Sequence, residues 1–464
     1  MPRLFEKLRR WAQIARRGHL SDDHRSRRSQ GVVRGAASAI AGRALALLVG
    51  IISVPLTVGY LGSERYGVWV TISTFLAFLS FTDFGLANSL TNALGKAYGE
   101  DEREIARRYV SSAFATLSLV ALLLLFVGVF AAPYLAGALF PTARPELARA
   151  EITPALLLAF AIFALNFPLL ITNKVLTTHG ESAVANFWSI GGTLLNLVAI
   201  LSVVWFRGNL PWLVLGCSGL GLLVNVACAV WLFGFRKPWL RPHHAALDLA
   251  AIRDLFSVGW KFLVIGAAWM VNSETDNLVI AHYLGAAQVT PYSITFALFS
   301  NATLLQTLVY PSLWPAYTEA FARKDYSWIR RTFRLSFKLS FVVTTIVVVV
   351  LTIFGRVIIR FWAGEAAVPP FSAIIWMAVW NLMLSHLYVA SCLLNATGHL
   401  KGMTIYGTVT AFLNLLLSVY LVKRYGITGV IAGTVLAFAI ANYIPTFIEA
   451  RRVLRRYPDQ PSAK

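Results

Sequence analysis

The sequence predicts an all-α polytopic membrane protein of about 12 transmembrane helices, arranged as two six-helix lobes related by internal parallel duplication. Three observations carry that expectation. Of 464 residues, 57% are apolar and only 13% charged, about half the roughly 25% charge of a soluble domain, and the mean hydropathy is +0.65. Twelve apolar segments each approach the ~20 residues that a helix needs to cross hydrocarbon. The cationic residues, 41 Lys and Arg against 21 Asp and Glu, fall overwhelmingly on one side of the resulting alternation. This composition excludes disorder, which requires low hydrophobicity and high charge, and argues against a soluble enzyme.

Residues 1–35 read as a cytoplasmic basic segment. Leu4, Leu8, Trp11 and Ala15 fall at helical spacing among Arg3, Lys7, Arg10, Arg16 and Arg17, the pattern of an amphipathic helix lying on a membrane surface; a disordered basic tail is the alternative. His19 to Gln30 reads as a flexible polar linker, and no compact apolar core of a signal peptide precedes it. The first lobe occupies 36–234, with spans at 36–59, 67–91, 110–132, 153–173, 186–206 and 212–234. A basic cytoplasmic linker, 235–257, contains Pro238 and Pro242, and its end from Leu247 to Phe256 is expected to form an in-plane helix. The second lobe, 258–448, has spans at 258–281, 290–314, 335–355, 371–394, 403–422 and 427–448, followed by a basic cytoplasmic tail at 449–464. Pro168 and Pro445 lie within spans and are expected to kink them.

Orientation follows from the charges. With the N-terminus inside, thirty cationic residues lie in cytoplasmic segments and eight in outer loops, while Arg43, Lys261 and Lys338 fall within spans. That is a strong positive-inside signal, and an even span count returns the C-terminus to the cytoplasm. The basic pI therefore records topology, not a nucleic-acid partner, for which no soluble domain exists. Cys217, Cys228 and Cys392 all sit in apolar runs without ligand spacing and read as small buried residues.

The halves repeat each other. Tyr60-Leu61-Gly62 recurs as Tyr283-Leu284-Gly285, Arg107-Arg108 as Arg330-Arg331, and Phe114 as Phe337. Leu176, Gly180, Leu195 and Asn196 match Leu394, Gly398, Leu413 and Asn414 after a small indel. Six spans per repeat make the repeats parallel, a plan in which transporters rock one half against the other around a path between them.

The run Tyr60-Leu61-Gly62, Tyr66-Gly67, Thr82-Asp83-Phe84-Gly85-Leu86 and Ala97-Tyr98-Gly99 resembles the first two helices of polysaccharide-unit flippases. These are the Wzx-like members, serving O-antigen and exopolysaccharide synthesis, of the multidrug/oligosaccharidyl-lipid/polysaccharide exporter superfamily. Asp276-Asn277-Leu278-Val279-Ile280 with Tyr283-Leu284-Gly285, and Thr178-His179-Gly180, resemble the matching family segments. The resemblance implies a central cavity between the lobes. It implies movement of a polyprenyl-pyrophosphate-linked oligosaccharide across the bacterial inner membrane by alternating access. The implied partners are that substrate, membrane lipids, a polymerase and other polysaccharide-assembly proteins.

Ionisable residues inside spans default to functional hypotheses. Arg43 and Asp83 each lie about eight residues from the cytoplasmic end of their span, hence at similar depth at about 1.5 Å per residue. Either they form an ion pair locking two helices, or Arg43 faces the cavity and grips a pyrophosphate with Asp83 orienting it. Lys174 and Lys261 at cytoplasmic span ends either snorkel to headgroups or attract the anionic substrate at the inward mouth. Glu274 and Asp276, the latter sharing a face with Asn272, are candidates for ion coupling or for structural hydrogen bonds. Two polar stripes stand out. Tyr292, Thr295, Phe299, Thr303, Gln306 and Tyr310 share an arc of span eight, and Asn381, Ser385, Tyr388, Cys392 and Asn395 share one of span ten. They serve helix packing or line a sugar passage, to which rings and amides are suited.

No phosphate-cradling loop is present, no cofactor is implied, and His243-His244 lacks further metal ligands. A membrane-embedded polymerase or glycosyltransferase should display a carboxylate- or arginine-rich outer loop. The longest here, 133–152, has only Glu146 and Glu151 as acids. A lipid II flippase or multidrug exporter of the same superfamily remains the alternative transporter.

Overall fold

The computed structural model describes residues 23–100, 102–303, 313, 316–321, 323–398 and 400–456, and among them the chain is helical with no strand. Helix α1 (Asp23–Leu79) carries span one and the first part of span two, and is broken at Gly62. Span two resumes as α2 (Leu86–Gly99) after an interruption. Helices α3 (Arg103–Leu139), α4 (Pro145–Thr178), α5 (Ser182–Trp205) and α6 (Leu210–Arg236) complete the first lobe. The second comprises α7 (Leu249–Leu284), α8 (Ala286–Ser300), α9 (Tyr326–Ala363), α10 (Phe371–Ala396), α11 (Leu400–Phe438, broken at Gly426) and α12 (Ile444–Arg456).

The duplication is written into the backbone. Gly62 (φ 77°) and Gly285 (φ 86°) close the equivalent Tyr-Leu-Gly motifs in the same left-handed conformation, which a side chain would strain. Gly180 and Gly398, the pair matched at the other end of the repeat, also correspond, at 74° and 77°. Pro168 sits in a tight turn, Phe167–Leu169, that interrupts the α-helical hydrogen bonding of α4. Pro445 follows the wide turn Ala439–Tyr443 that precedes α12.

Three expectations change. The basic segment up to residue 22 lies outside the described residues, but the expected polar linker is helical from Asp23 onward. A membrane-anchored helix propagates outward at one hydrogen bond per residue once nucleated. The segment expected as an in-plane helix is instead the start of α7, continuous with span seven. Asp248 caps it by accepting from Ala250 N at 2.8 Å, and Asp254 accepts from the Tyr109 hydroxyl of α3 at 3.3 Å, so this end docks on the first lobe. Span two is not one helix, for the reason given below.

The cores explain the shape. Near the Gly62 and Gly285 turns, a single apolar cluster runs through both lobes, joining Ile72, Leu156 and Val214 to Ile280, Phe299 and Ile374. At the opposite end, the face carrying the 237–248 linker, the lobes have separate cores. Leu90, Val110, Ile171 and Leu240 build one, and Tyr317, Ile329, Leu393 and Val453 the other. Among the described residues the lobes are thus joined at the turn face and, apart from the end of α7 docked on the first lobe, have separate cores toward the linker face. At the turn face Arg65 donates to Glu151 at 2.8 and 2.6 Å. Leu119, Leu122, Leu123, Phe126 and Phe130 form an exposed stripe on α3, acceptable against hydrocarbon and not against water.

Candidate functional site

Span two breaks because Asp83 competes for its own backbone. Its carboxylate accepts from Gly85 N at 2.8 Å and Ala87 N at 3.3 Å, capping the half-helix that begins at Leu86. Phe84 and Gly85 take positive φ, 51° and 71°. A Cβ on Gly85 would lie 2.1 Å from the Gly259 carbonyl of α7, so only glycine lets the two backbones meet there. An unpaired amide inside a membrane costs several kcal/mol, and the carboxylate supplies the partner that hydrocarbon cannot.

The expected Arg43–Asp83 ion pair does not form. Asp83 is engaged by amides two and four residues away, and the cation acting on it is Lys174. Short-range hydrogen bonds of an Asp to its own chain hold fewer groups in place than a long ion pair between helices. Arg43 is instead exposed on α1, within electrostatic reach of Tyr388 on α10 of the other lobe.

Beside the break lies an open cavity of about 550 Å³ bordered by α2, α4, α5, α6 and α7. Lys174 points into it and donates to Asn88 Oδ1 at 2.9 Å. Asn225 donates to Asn166 Oδ1 across it at 2.8 Å. Asn173, Thr172, Ser189 and Trp188 complete much of the polar wall. Apart from Asp83 and Lys174, none of these residues stood out in the sequence. Their signal was available in principle, as carboxamides within apolar spans.

A second cluster surrounds Asp276, which is 4% exposed. Tyr292 of α8 donates its hydroxyl to Asp276, and Thr434 donates at 3.0 and 2.9 Å. Asn414 sits against Thr434 at 3.5 Å and accepts from Ser418 at 3.0 Å. Glu274 instead hydrogen-bonds Thr74 of the first lobe, to which Asn277 also donates at 3.1 Å.

Most of the described part of both polar stripes is packed between helices. Tyr292, Thr295, Phe299 and Thr303 are buried, as are Asn381, Ser385 and Cys392. Asn381 donates to the Met377 carbonyl, and Ser385 binds the hydroxyls of Ser340 and Thr344 at 2.6 and 2.8 Å. Tyr388 and Asn395 are half-buried. Gln306, Tyr310 and the side chain of Lys261 lie outside the described residues.

At the linker face, the buried Lys237 pairs with Glu181 at 3.3 Å and Trp239 packs edge-on to Tyr98 and His179. Burial, with Lys237 adding repulsion, pushes the His179 imidazole down to about 4. Burial likewise lowers Lys237, against the pull of Glu181. At the other face Glu151, one of the two loop acids, is taken up by Arg65 and by Leu210 N.

A Salmonella typhimurium protein named for O-antigen transport is 20% identical over 408 residues, 85% of this chain and 90% of its own length. A Yersinia pseudotuberculosis protein named for O-antigen export is 20% identical, with 87% and 92% covered. The fold matches an inward-facing multidrug resistance MATE family transporter of the MOP superfamily with a TM-score of 0.77 at 14% identity, covering 89% of this chain and 95% of that one. An outward-facing transporter of the same description scores 0.63, covering 93% and 97%. The family described as polysaccharide biosynthesis protein matches residues 32–321, more than half of the chain, and the chain belongs to that family.

Proposed function

We propose that the protein flips a polyprenyl-pyrophosphate-linked oligosaccharide from the cytoplasmic to the outer leaflet of the bacterial inner membrane by alternating access. Both termini are then cytoplasmic, and the linker face is the inward one. The observation that carries this reading is an exposed cation, Arg43, on α1 within electrostatic reach of Tyr388 of the other lobe. Family membership and the names of the relatives support the cargo class. In this reading Arg43 holds the pyrophosphate with Tyr388 beside it, and Lys174 and Lys261 raise the local concentration of the anion. Tyr388 and Asn395, with Gln306 and Tyr310, contact the glycan. Asp83 acts through the half-helix it caps. Asn381 and Tyr292 support these groups from within the packed helices. Asp276 and Glu274 couple the lobes to a proton or cation. Outer-leaflet polymerisation consumes the product.

The test is Arg43→Ala in vesicles loaded with the lipid-linked unit. A charge-assisted contact contributes about 1.5–3 kcal/mol, so flipping should fall roughly 10- to 100-fold at unchanged abundance. Normal flipping at normal abundance would remove Arg43 from the path. Transport of a small cationic drug in place of the lipid-linked unit would favour an exporter.

A further inference from the structure

We infer that the cavity beside the break of span two, between the first lobe and α7, is a sugar-binding site taking neutral pyranose units of the cargo. This rests on the reading that the cargo is a lipid-linked glycan, and it assigns the glycan a place apart from Arg43. The wall has the right chemistry. Carboxamides of Asn88, Asn166, Asn173 and Asn225 offer donors and acceptors together, as sugar hydroxyls require, and Trp188 adds a ring for the apolar sugar face. The volume, about 550 Å³, lies within the roughly 300–1,000 Å³ of small-molecule sites.

Helix-packing amides alone would leave no such space. Residues that only join helices approach closely and exclude volume, whereas these border open room. Thr172 borders the cavity, and its hydroxyl, buried just behind that wall, has no hydrogen-bond partner. A buried hydroxyl without a partner is destabilising unless a ligand or water meets it.

The charge balance argues against a phosphate as the occupant. The cavity's cation, Lys174, already donates to Asn88 and faces Asp83. The half-helix N-terminus, which would otherwise attract an anion, is filled by the Asp83 carboxylate. What remains is a surface of amides, hydroxyls and apolar side chains, which fits an uncharged ligand with polar edges and apolar faces.

Two measurements test this. In the first, Ser189→Cys is introduced after Cys217, Cys228 and Cys392 are replaced by Ala. The rate of labelling by a water-soluble maleimide is compared in inverted vesicles from cells that make the lipid-linked unit and from cells lacking the first sugar transferase. Protection of about tenfold or more by the unit is expected; equal rates overturn the site. In the second, the double variant Asn166→Leu with Asn225→Leu removes both paired amides, so neither is left without its partner. Vesicle flipping should fall about tenfold or more, and undiminished flipping overturns the site. If that variant fails to accumulate, the labelling result decides. If the parent protein itself does not flip the unit, the transport reading fails instead, so the two failures are distinct.

Discussion

Replacing Gly67 by alanine should wedge the lobes apart at the turn face. Gly67 opens the second arm of α1, and a Cβ there would sit 1.7 Å from the Ala286 carbonyl oxygen at the start of α8. Carbon–oxygen contacts below about 3 Å do not occur, so Ala286 must retreat by at least about 1.3 Å. The two backbones belong to different lobes, and neither is a flexible side chain that could turn aside. Overpacking of this kind costs about 1–3 kcal/mol. The retreat also stretches the neighbouring inter-lobe hydrogen bond from Thr290 Oγ1 to the Ser63 carbonyl, now 2.6 Å, a further loss of about 0.5–1.5 kcal/mol. Together these are about 1.5–4.5 kcal/mol against the closed turn face, a shift of roughly 10- to 2,000-fold toward states open there. Spin labels on the exposed residues Arg144 and Glu365, one in each lobe, report the separation. Gly67→Ala should add a longer-distance population. Gly59→Ala, where a Cβ meets nothing within 4 Å, should leave the distribution unchanged. A Gly67→Ala distribution identical to the parent's would refute the reasoning.

The His179 contact predicts an acid-sensitive linker. Its imidazole is depressed to about 4 from 6.5, so between those values the unfolded segment binds more protons than the folded one; stability is intact above pH 6.5 and is lost as the pH falls toward 4. Hydrogen exchange of segment 237–247, corrected for intrinsic rates, should accelerate over that window, and His179→Phe should flatten the response; an unchanged profile in the variant would assign the effect elsewhere. Asp276→Asn keeps the shape of the side chain but removes its fixed charge, so flipping should lose its dependence on an imposed proton or sodium gradient while abundance holds. Retained gradient dependence would exclude Asp276 as the coupling group.

The spans and their duplication were legible because they depend on averages. Long apolar segments and the spacing of Gly62 and Gly285 survive any uncertainty in side-chain direction, and the matched backbone conformations follow from the motif. The break in span two was not legible, because a window over 67–91 averages Asp83 and Gly85 into an apolar run. Equal depth for Arg43 and Asp83 assumed a continuous helix and said nothing of azimuth. The same limit hid the carboxamide cavity. Asn88, Asn166 and Asn225 come from three helices, and their meeting depends on how α2, α4 and α6 are rotated about their axes. The polar stripes show the converse. Their arc on the helix was read correctly, yet a stripe that faces another helix and one that faces water have the same periodicity.

Helix α7 links these observations into one mechanical account. Its linker-face end packs on the first lobe through Asp254, Phe256 and the Gly85–Gly259 approach. Farther along, alternate faces diverge. Glu274 and Asn277 reach Thr74 of the first lobe, while Asn272 donates to the Gly407 carbonyl of α11 at 3.3 Å and Asp276 binds Thr434. A helix held on opposite faces by both lobes cannot rotate without exchanging partners on each. A change of charge at Asp276 weakens its bonds to α8 and α11, both of the second lobe, so its effect must appear as a shift in how α7 is shared. The Gly85–Gly259 contact then carries that shift to the half-helix bordering the amide-lined cavity. Under the proposed function, coupling between ion and glycan then requires no direct contact between Asp276 and the cargo, only that α7 have two settings which both sites bias.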